Sequence, residues 1–241
     1  MKKNSAILSL ENVSYRYNDA PKDVYVFKDI NYSFEEGKVY AIKGKSGSGK
    51  TTLLSLISGL EKNYEGKIYY EDKDLSKVNL DKYRNSEIGI VFQSYNLLPH
   101  LNASENIILS MDINGLKNVN KKDRALELLE SVGLSSKHAN RRVLKLSGGE
   151  QQRVAIARSL SYNPKIIIAD EPTGNLDKET ENEILNIFKN LAHDENKCVI
   201  IVTHSDNVCS SSDEVYELIL KKKKEKENKS ELKTKKSKKE E

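Results

Sequence analysis

Gly44-Lys45-Ser46-Gly47-Ser48-Gly49-Lys50-Thr51 decides how this chain is read. The stretch fits G-x-x-x-x-G-K-[ST] at every fixed position. Before it lies the apolar Val39-Tyr40-Ala41-Ile42, and after it Thr52-Leu53-Leu54-Ser55-Leu56-Ile57, which reads as helix. A strand that runs into a glycine-rich loop and leaves as a helix makes a phosphate cradle. Glycines let the backbone approach closely, and successive N–H groups converge on anionic oxygens at the positive end of the helix. Gly44, Lys45, Ser46, Gly47, Ser48, Gly49 and Thr52 belong to this cradle. Lys50 is placed to reach the β- and γ-phosphates, and the Thr51 hydroxyl to ligate Mg²⁺. The stretch predicts binding of a nucleoside triphosphate.

Working outward, a second cluster specifies the kind of site. Leu146-Ser147-Gly148-Gly149-Glu150-Gln151-Gln152-Arg153 precedes the helical stretch Val154–Leu160. Ile166-Ile167-Ile168-Ala169-Asp170-Glu171-Pro172 follows, then Gly174-Asn175-Leu176-Asp177, then Val199-Ile200-Ile201-Val202-Thr203-His204. In this order the motifs resemble those of ABC transporter ATP-binding subunits, and the resemblance runs from about Leu8 to Leu220. Phe92-Gln93-Ser94-Tyr95-Asn96-Leu97-Leu98-Pro99 and Ala169–Asp177 look like the MacB/LolD type. Such subunits serve permeases that move antimicrobial peptides, lipoproteins or drugs. Two departures stand out: Ser205 follows His204 where the family often has aspartate, and no glycine-bearing turn follows Val215–Leu220, which leaves the final hairpin in question.

The resemblance implies an α/β fold: a P-loop NTPase core with a mostly parallel sheet, an antiparallel β subdomain and an inserted helical subdomain. Periodicity points the same way. Leu8–Val13, Val39–Lys43, Ile68–Tyr70, Ile88–Phe92, Ile166–Asp170, Cys198–Thr203 and Val215–Leu220 read as strands. Three of them are unbroken apolar runs of the kind found in sheets buried on both faces. Ile184, Leu185, Ile187, Phe188 and Leu191 make an amphipathic helix between two strands, and Ala125, Leu128, Leu129 and Val132 place another in 121–132. Segment 95–160 carries helical signals, so the expected division is an ATPase domain over 1–220, with core 1–94 and 161–220 and a helical subdomain over about 95–160.

Composition excludes several classes. Mean hydropathy is −0.65, and no apolar run approaches the ~20 residues that a membrane span needs. Met1-Lys2-Lys3-Asn4-Ser5 is basic but has no apolar stretch behind it, so it does not read as a secretory signal. Cys198 and Cys209 are too few for a disulfide framework and lack metal-ligand spacing. A reducing cytoplasm is expected, at the cytoplasmic face of the cell membrane as a peripheral subunit. Residues 221–241 hold 11 Lys and 5 Glu, a net of +6 in a chain of +4, so the remainder carries −2. That tail is too polar to bury a core and is expected to be disordered. Its lysines offer attraction to an anionic leaflet.

The resemblance assigns roles residue by residue. Asp170, at a strand end, would hold a Mg²⁺-bound water. Glu171 would act as general base on the water that attacks the γ-phosphorus. Gln93 would touch Mg²⁺ and that water, and His204 would hydrogen-bond the γ-phosphate. Ser147, Gly148 and Gly149 would meet ATP bound by a second subunit, giving a head-to-tail dimer with two ATP between subunits, and Asp177 would cross that interface. Tyr17 matches the adenine-stacking aromatic, with Tyr15 as the runner-up two residues away on the same face of a strand. A permease would dock near Gln93–Leu101, where Tyr95, Leu97, Leu98 and Leu101 cluster around Pro99. Two other outputs share these motifs: signalling or mechanotransmission without transport, and soluble machines acting on nucleic acid. The latter insert long coiled coils or repeat the module. Here Lys50 to Leu146 spans only 96 positions without sustained heptads, so no direct nucleic-acid partner is expected.

Overall fold

Parallel strands form the centre of the molecule, a computed structural model that describes residues 6–21 and 23–219. The calls on Leu220 and on the tail 221–241 lie outside the described residues. In chain order the elements are β1 (Ala6–Tyr15), β2 (Phe27–Glu35), β3 (Val39–Lys43), α1 (Lys50–Ile57), β4 (Glu65–Tyr70), β5 (Lys73–Asp74), α2 (Leu80–Ser86) and β6 (Ile88–Val91). Then come α3 (Ala103–Ile113), α4 (Lys121–Ser131), α5 (Ser136–Ala139), α6 (Gly148–Ser159), β7 (Ile166–Asp170), α7 (Lys178–His193), β8 (Cys198–Thr203), α8 (Asp206–Ser211) and β9 (Glu214–Glu217).

The five-stranded sheet has the order β6-β7-β8-β3-β9, and every pairing in it is parallel. β3, β6, β7 and β8 are buried on both faces, which is why they read as apolar runs, whereas the edge strand β9 alternates half-buried and exposed residues. Tyr40, Ile42, Ile166, Ile168, Cys198, Ile200 and Val202 pack on one face with Leu53, Leu56 and Ile57 of α1. The residues between them, Val39, Ile167, Ala169, Val199 and Ile201, pack on the other. That second face shares one core with Ile107 and Met111 of α3, Leu128 and Leu129 of α4, Val154 and Ile156 of α6, and Ile184 and Phe188 of α7. Asn102 and Ser147 open α3 and α6 with reciprocal capping boxes to Glu105 and Glu150. Asn120 caps α4.

A four-stranded antiparallel sheet, β2-β1-β4-β5, lies beside it. β2 and β5 were not among the strands expected from the sequence. In β2 the buried Ile30 and Phe34 keep the period of two through half-buried Tyr32, but buried Phe27 stands three residues before Ile30 and breaks it. The break falls at a register shift against β1, between the pairs Val13↔Ile30 and Tyr15↔Phe27, where Asp29 is left-handed (φ 56°). β5 is only two residues long. The last strand also differs from expectation: it spans Glu214–Glu217, not Val215–Leu220. It pairs with β3 from Tyr40↔Glu214 to Lys43↔Glu217 and stops where β3 itself gives way to Gly44.

Candidate functional site

Adjacent strand ends of the parallel sheet assemble the site. β3 ends at Lys43, and the chain loops through Gly44–Gly49 into α1. Gly47 (φ 77°) and Gly49 (φ 88°) adopt left-handed backbone, and a Cβ on Gly49 would strike Val26. α3, α4, α6 and α7 each have a side chain capping their first N–H groups, whereas α1 has none. Its orphan donors are therefore available to an anion. Ser48 Oγ is buried and has no hydrogen-bond partner among the described residues. Both observations fit a cradle for phosphate oxygens.

Lys50 is buried. Its ammonium donates to the carbonyls of Gly44 (2.8 Å) and Lys45 (3.2 Å) and stands 3.4 Å from the Glu171 carboxylate. Thr51 Oγ1 donates to Asp170 Oδ2 at 3.0 Å. Burial raises the Asp170 carboxyl above its ordinary range and neighbouring Glu171 adds to this, against the Thr51 hydroxyl and Lys50. A hydroxyl and a desolvated carboxylate suit a hard dication. Among the described residues no cluster of three or more His, Cys, Asp or Glu side chains could hold a metal, so phosphate and water would complete the shell, as is usual for Mg²⁺.

Glu171 leaves β7 in left-handed backbone (φ 46°), with its N–H on Val202 O (2.9 Å) and its carbonyl accepting from Gly174 N (3.2 Å). That conformation costs a non-glycine residue about 1–2 kcal/mol. It turns the carboxylate back toward the cradle: Oε1 lies 2.9 Å from His204 Nδ1, and Oε2 accepts from His204 N at 3.3 Å. Glu171 is 11% exposed and His204 66%. Lys50, Glu171 and His204 thus converge from the ends of β3, β7 and β8, three neighbours in one sheet.

Gln93 is exposed, two residues beyond β6, and its amide borders the loop after Glu171: a Cβ on Gly174 would lie 3.3 Å from Gln93 Nε2. Tyr17 is 50% exposed and stands past the end of β1, with its hydroxyl 3.2 Å from Thr52 Oγ1. With Val24, Val26, Gly47 and Thr51 it lines a cavity of about 430 Å³. Tyr15 is 6% exposed and packs edge-on beneath Tyr17, so the two rings do not share an open face. The chain leaves β1 at Tyr15 and the strand alternation lapses there.

Ser147 Oγ accepts from Glu150 N (3.2 Å), while Glu150 accepts from Ser147 N (2.7 Å). Gly149 backs onto Thr180, whose Cγ2 would be 2.5 Å from a Cβ there, and Gly148 faces the Tyr95 hydroxyl. Asp177 caps α7 through Thr180 N (3.0 Å) and Thr180 Oγ1 (2.8 Å), bonds that hold its carboxyl below the usual range. These residues lie together. Among the described residues no hydrogen bond or ion pair joins Ser147, Gly148, Gly149 or Asp177 to Gly44–Thr52.

A family profile described as ABC transporter matches residues 27–174. The chain belongs to the ABC transporter family. The ABC transporter ATP-binding protein YclH of Bacillus subtilis is 48% identical, over 86% of this chain and 91% of its own length. The lipoprotein-releasing system ATP-binding protein LolD of Rickettsia felis is 41% identical, over 89% and 96%. The ATP-binding cassette MJ0796, solved as a dimer in a post-hydrolysis state with ADP and Pi, superposes with a TM-score of 0.78 at 38% identity, over 87% and 93%. This chain is an ABC-type ATPase.

The ABC fold adds positioning residues that the sequence did not single out. Tyr95 (φ 60°) and Asn96 (φ 50°) are both left-handed, and Arg158, in the last turn of α6, donates to both carbonyls, at 2.9 Å to Tyr95. Asn106 holds Leu98 from both sides, accepting from its N–H (2.8 Å) and donating to its carbonyl (3.3 Å). No local signal marks these side chains, because their partners are backbone atoms, 62 and 63 residues away for Arg158. The expected apolar cluster around Pro99 is not a continuous open face. Leu98 is 38% exposed, whereas Leu97 packs on the helical core and Tyr95 and Leu101 are half-buried.

Proposed function

We propose that the chain binds ATP with Mg²⁺, hydrolyses it within a head-to-tail dimer, and powers a separate membrane permease of the exporter or lipoprotein-releasing kind. The observation that carries this is the meeting of Lys50, Glu171 and His204 beside an uncapped helix start, with Asp170 and Thr51 joined alongside. Main-chain N–H groups of Gly47–Thr51 would bind the phosphates, and Lys50 would leave the Gly44 and Lys45 carbonyls for phosphate oxygens. Thr51 and Asp170 would hold Mg²⁺, which neutralises charge on the phosphates. Glu171 takes a proton from the attacking water at its carboxylate, and His204 and Gln93 orient the water and the γ-phosphate. Tyr17, beside Thr52, stacks on the base.

Among the described residues Ser147–Gly149 and Asp177 make no hydrogen bond or ion pair to their own cradle, which favours a second subunit as the source of the nucleotide they would contact. MJ0796 is solved as a dimer, which supports a two-subunit assembly. The likeness to LolD supports a permease partner and a peripheral place at the membrane; among the described residues no helix is long and apolar enough to cross one. Glu171→Gln tests the chemistry. It should keep ATP binding and lower hydrolysis by about 10²–10⁴, with an ATP-bound dimer accumulating on gel filtration. Near-normal turnover would remove Glu171 from the mechanism.

A further inference from the structure

Two loops carry the reacting groups, and a single carboxylate outside the site ties them together. Thr173, buried two residues beyond Glu171, donates its hydroxyl to Glu181 Oε1 at 3.2 Å. Ser205, directly after His204, donates its hydroxyl to the same oxygen at 3.0 Å. Glu181 sits in the first turn of α7, its N–H bonded to Asp177 O at 2.8 Å, so the acceptor rides on a fixed helix start. Ser205 is anchored as well: its N–H donates to Thr203 Oγ1 (2.9 Å), and its Oγ caps α8 by accepting from Val208 N (3.4 Å). At their roots the loops are joined by Glu171 N to Val202 O. At their far ends, among the described residues, the side chain that joins them is Glu181.

We propose that Glu181 is a positioning residue for hydrolysis, locking the Glu171 loop to the His204 loop and so fixing the 2.9 Å contact between the two side chains. This rests on the reading of Glu171 and His204 as reacting groups. Glu171 occupies a backbone conformation that persists only when its surroundings over-determine it, and its partner His204 is largely exposed. Neither restrains the other alone. The departure at position 205 fits this device. A serine hydroxyl can donate to a carboxylate, whereas an aspartate there could only repel Glu181.

Ser205→Asp separates the bridge from folding, because aspartate still caps α8 but loses the donor and sets a second carboxylate against Glu181. In the full-length chain, steady-state ATPase assays should show kcat falling about tenfold while KM for ATP stays within about twofold. Adding Glu181→Gln to that variant should restore most of the rate, since the amide can accept from Thr173 and donate to the new carboxylate. A Ser205→Asp protein with wild-type kcat, or no recovery in the double variant, overturns the bridge while Glu171→Gln still marks the site. A Glu171→Gln protein at full rate overturns both.

Discussion

Replacing Arg158 with methionine removes the two donors that hold the loop after Gln93 and leaves an unbranched apolar stem in their place. Hydrogen bonds from a charged group contribute about 1.5–3 kcal/mol each, so two give about 3–6 kcal/mol before offsets. Burial disfavours the guanidinium, whose pKa it lowers, and methionine escapes that desolvation. The Tyr95 and Asn96 carbonyls sit at half-buried and exposed positions and can find water once released. These offsets bring the expected loss to about 2–4 kcal/mol. For a domain of this size that is a fall in Tm of roughly 5–15 °C. Thermal unfolding followed by circular dichroism measures the shift, and hydrogen exchange over residues 94–98 reports the loop itself. Two left-handed residues in succession should relax when the clamp is gone, so exchange there should quicken ahead of global unfolding. A Tm within about 1 °C of wild type, with unchanged exchange in the loop, would refute the assignment of its shape to Arg158.

Ser147→Arg puts a long cation where, in the proposed dimer, the partner's γ-phosphate would dock; in a Glu171→Gln background with ATP, gel filtration should show a monomer that still binds nucleotide, and a persisting dimer would sink the two-subunit site. Asp170 carries a raised carboxyl pKa in the folded state, chiefly from burial. The folded form therefore holds the proton more tightly than the unfolded one, and stability is lost as pH rises from the ordinary aspartate value through the raised one. Nucleotide-free Asp170→Asn should accordingly melt above wild type at neutral pH, with the gap closing below about pH 4; a gap that persists in acid would point to another cause. Leu98→Glu places a charge at the most open of the leucines near Pro99 and should reduce co-purification with the permease while basal hydrolysis continues. Intact complex formation would move the docking surface elsewhere.

The sequence alone determined what depends on local backbone chemistry. A phosphate cradle needs glycines at fixed offsets between a strand and a helix, so Gly44–Thr51 announces itself whatever the rest of the chain does. The parallel strands were equally legible, because burial on both faces demands unbroken apolar runs such as Ile166–Ala169 and Val199–Val202. What escaped had no local signature. β2 was hidden by a register shift that broke its alternation, and β9 ended early because its partner, β3, ends at Lys43. That Tyr17 is open while Tyr15 is buried depended on where β1 stops. Nor could spacing reveal that Arg158, Asn106 and Glu181 secure the loops bearing Gln93, Glu171 and His204, since each acts on groups brought to it by folding. Motif chemistry is written in neighbouring residues, whereas the geometry that aims it comes from strand order, from helix starts and from side chains that meet only after the sheet has formed.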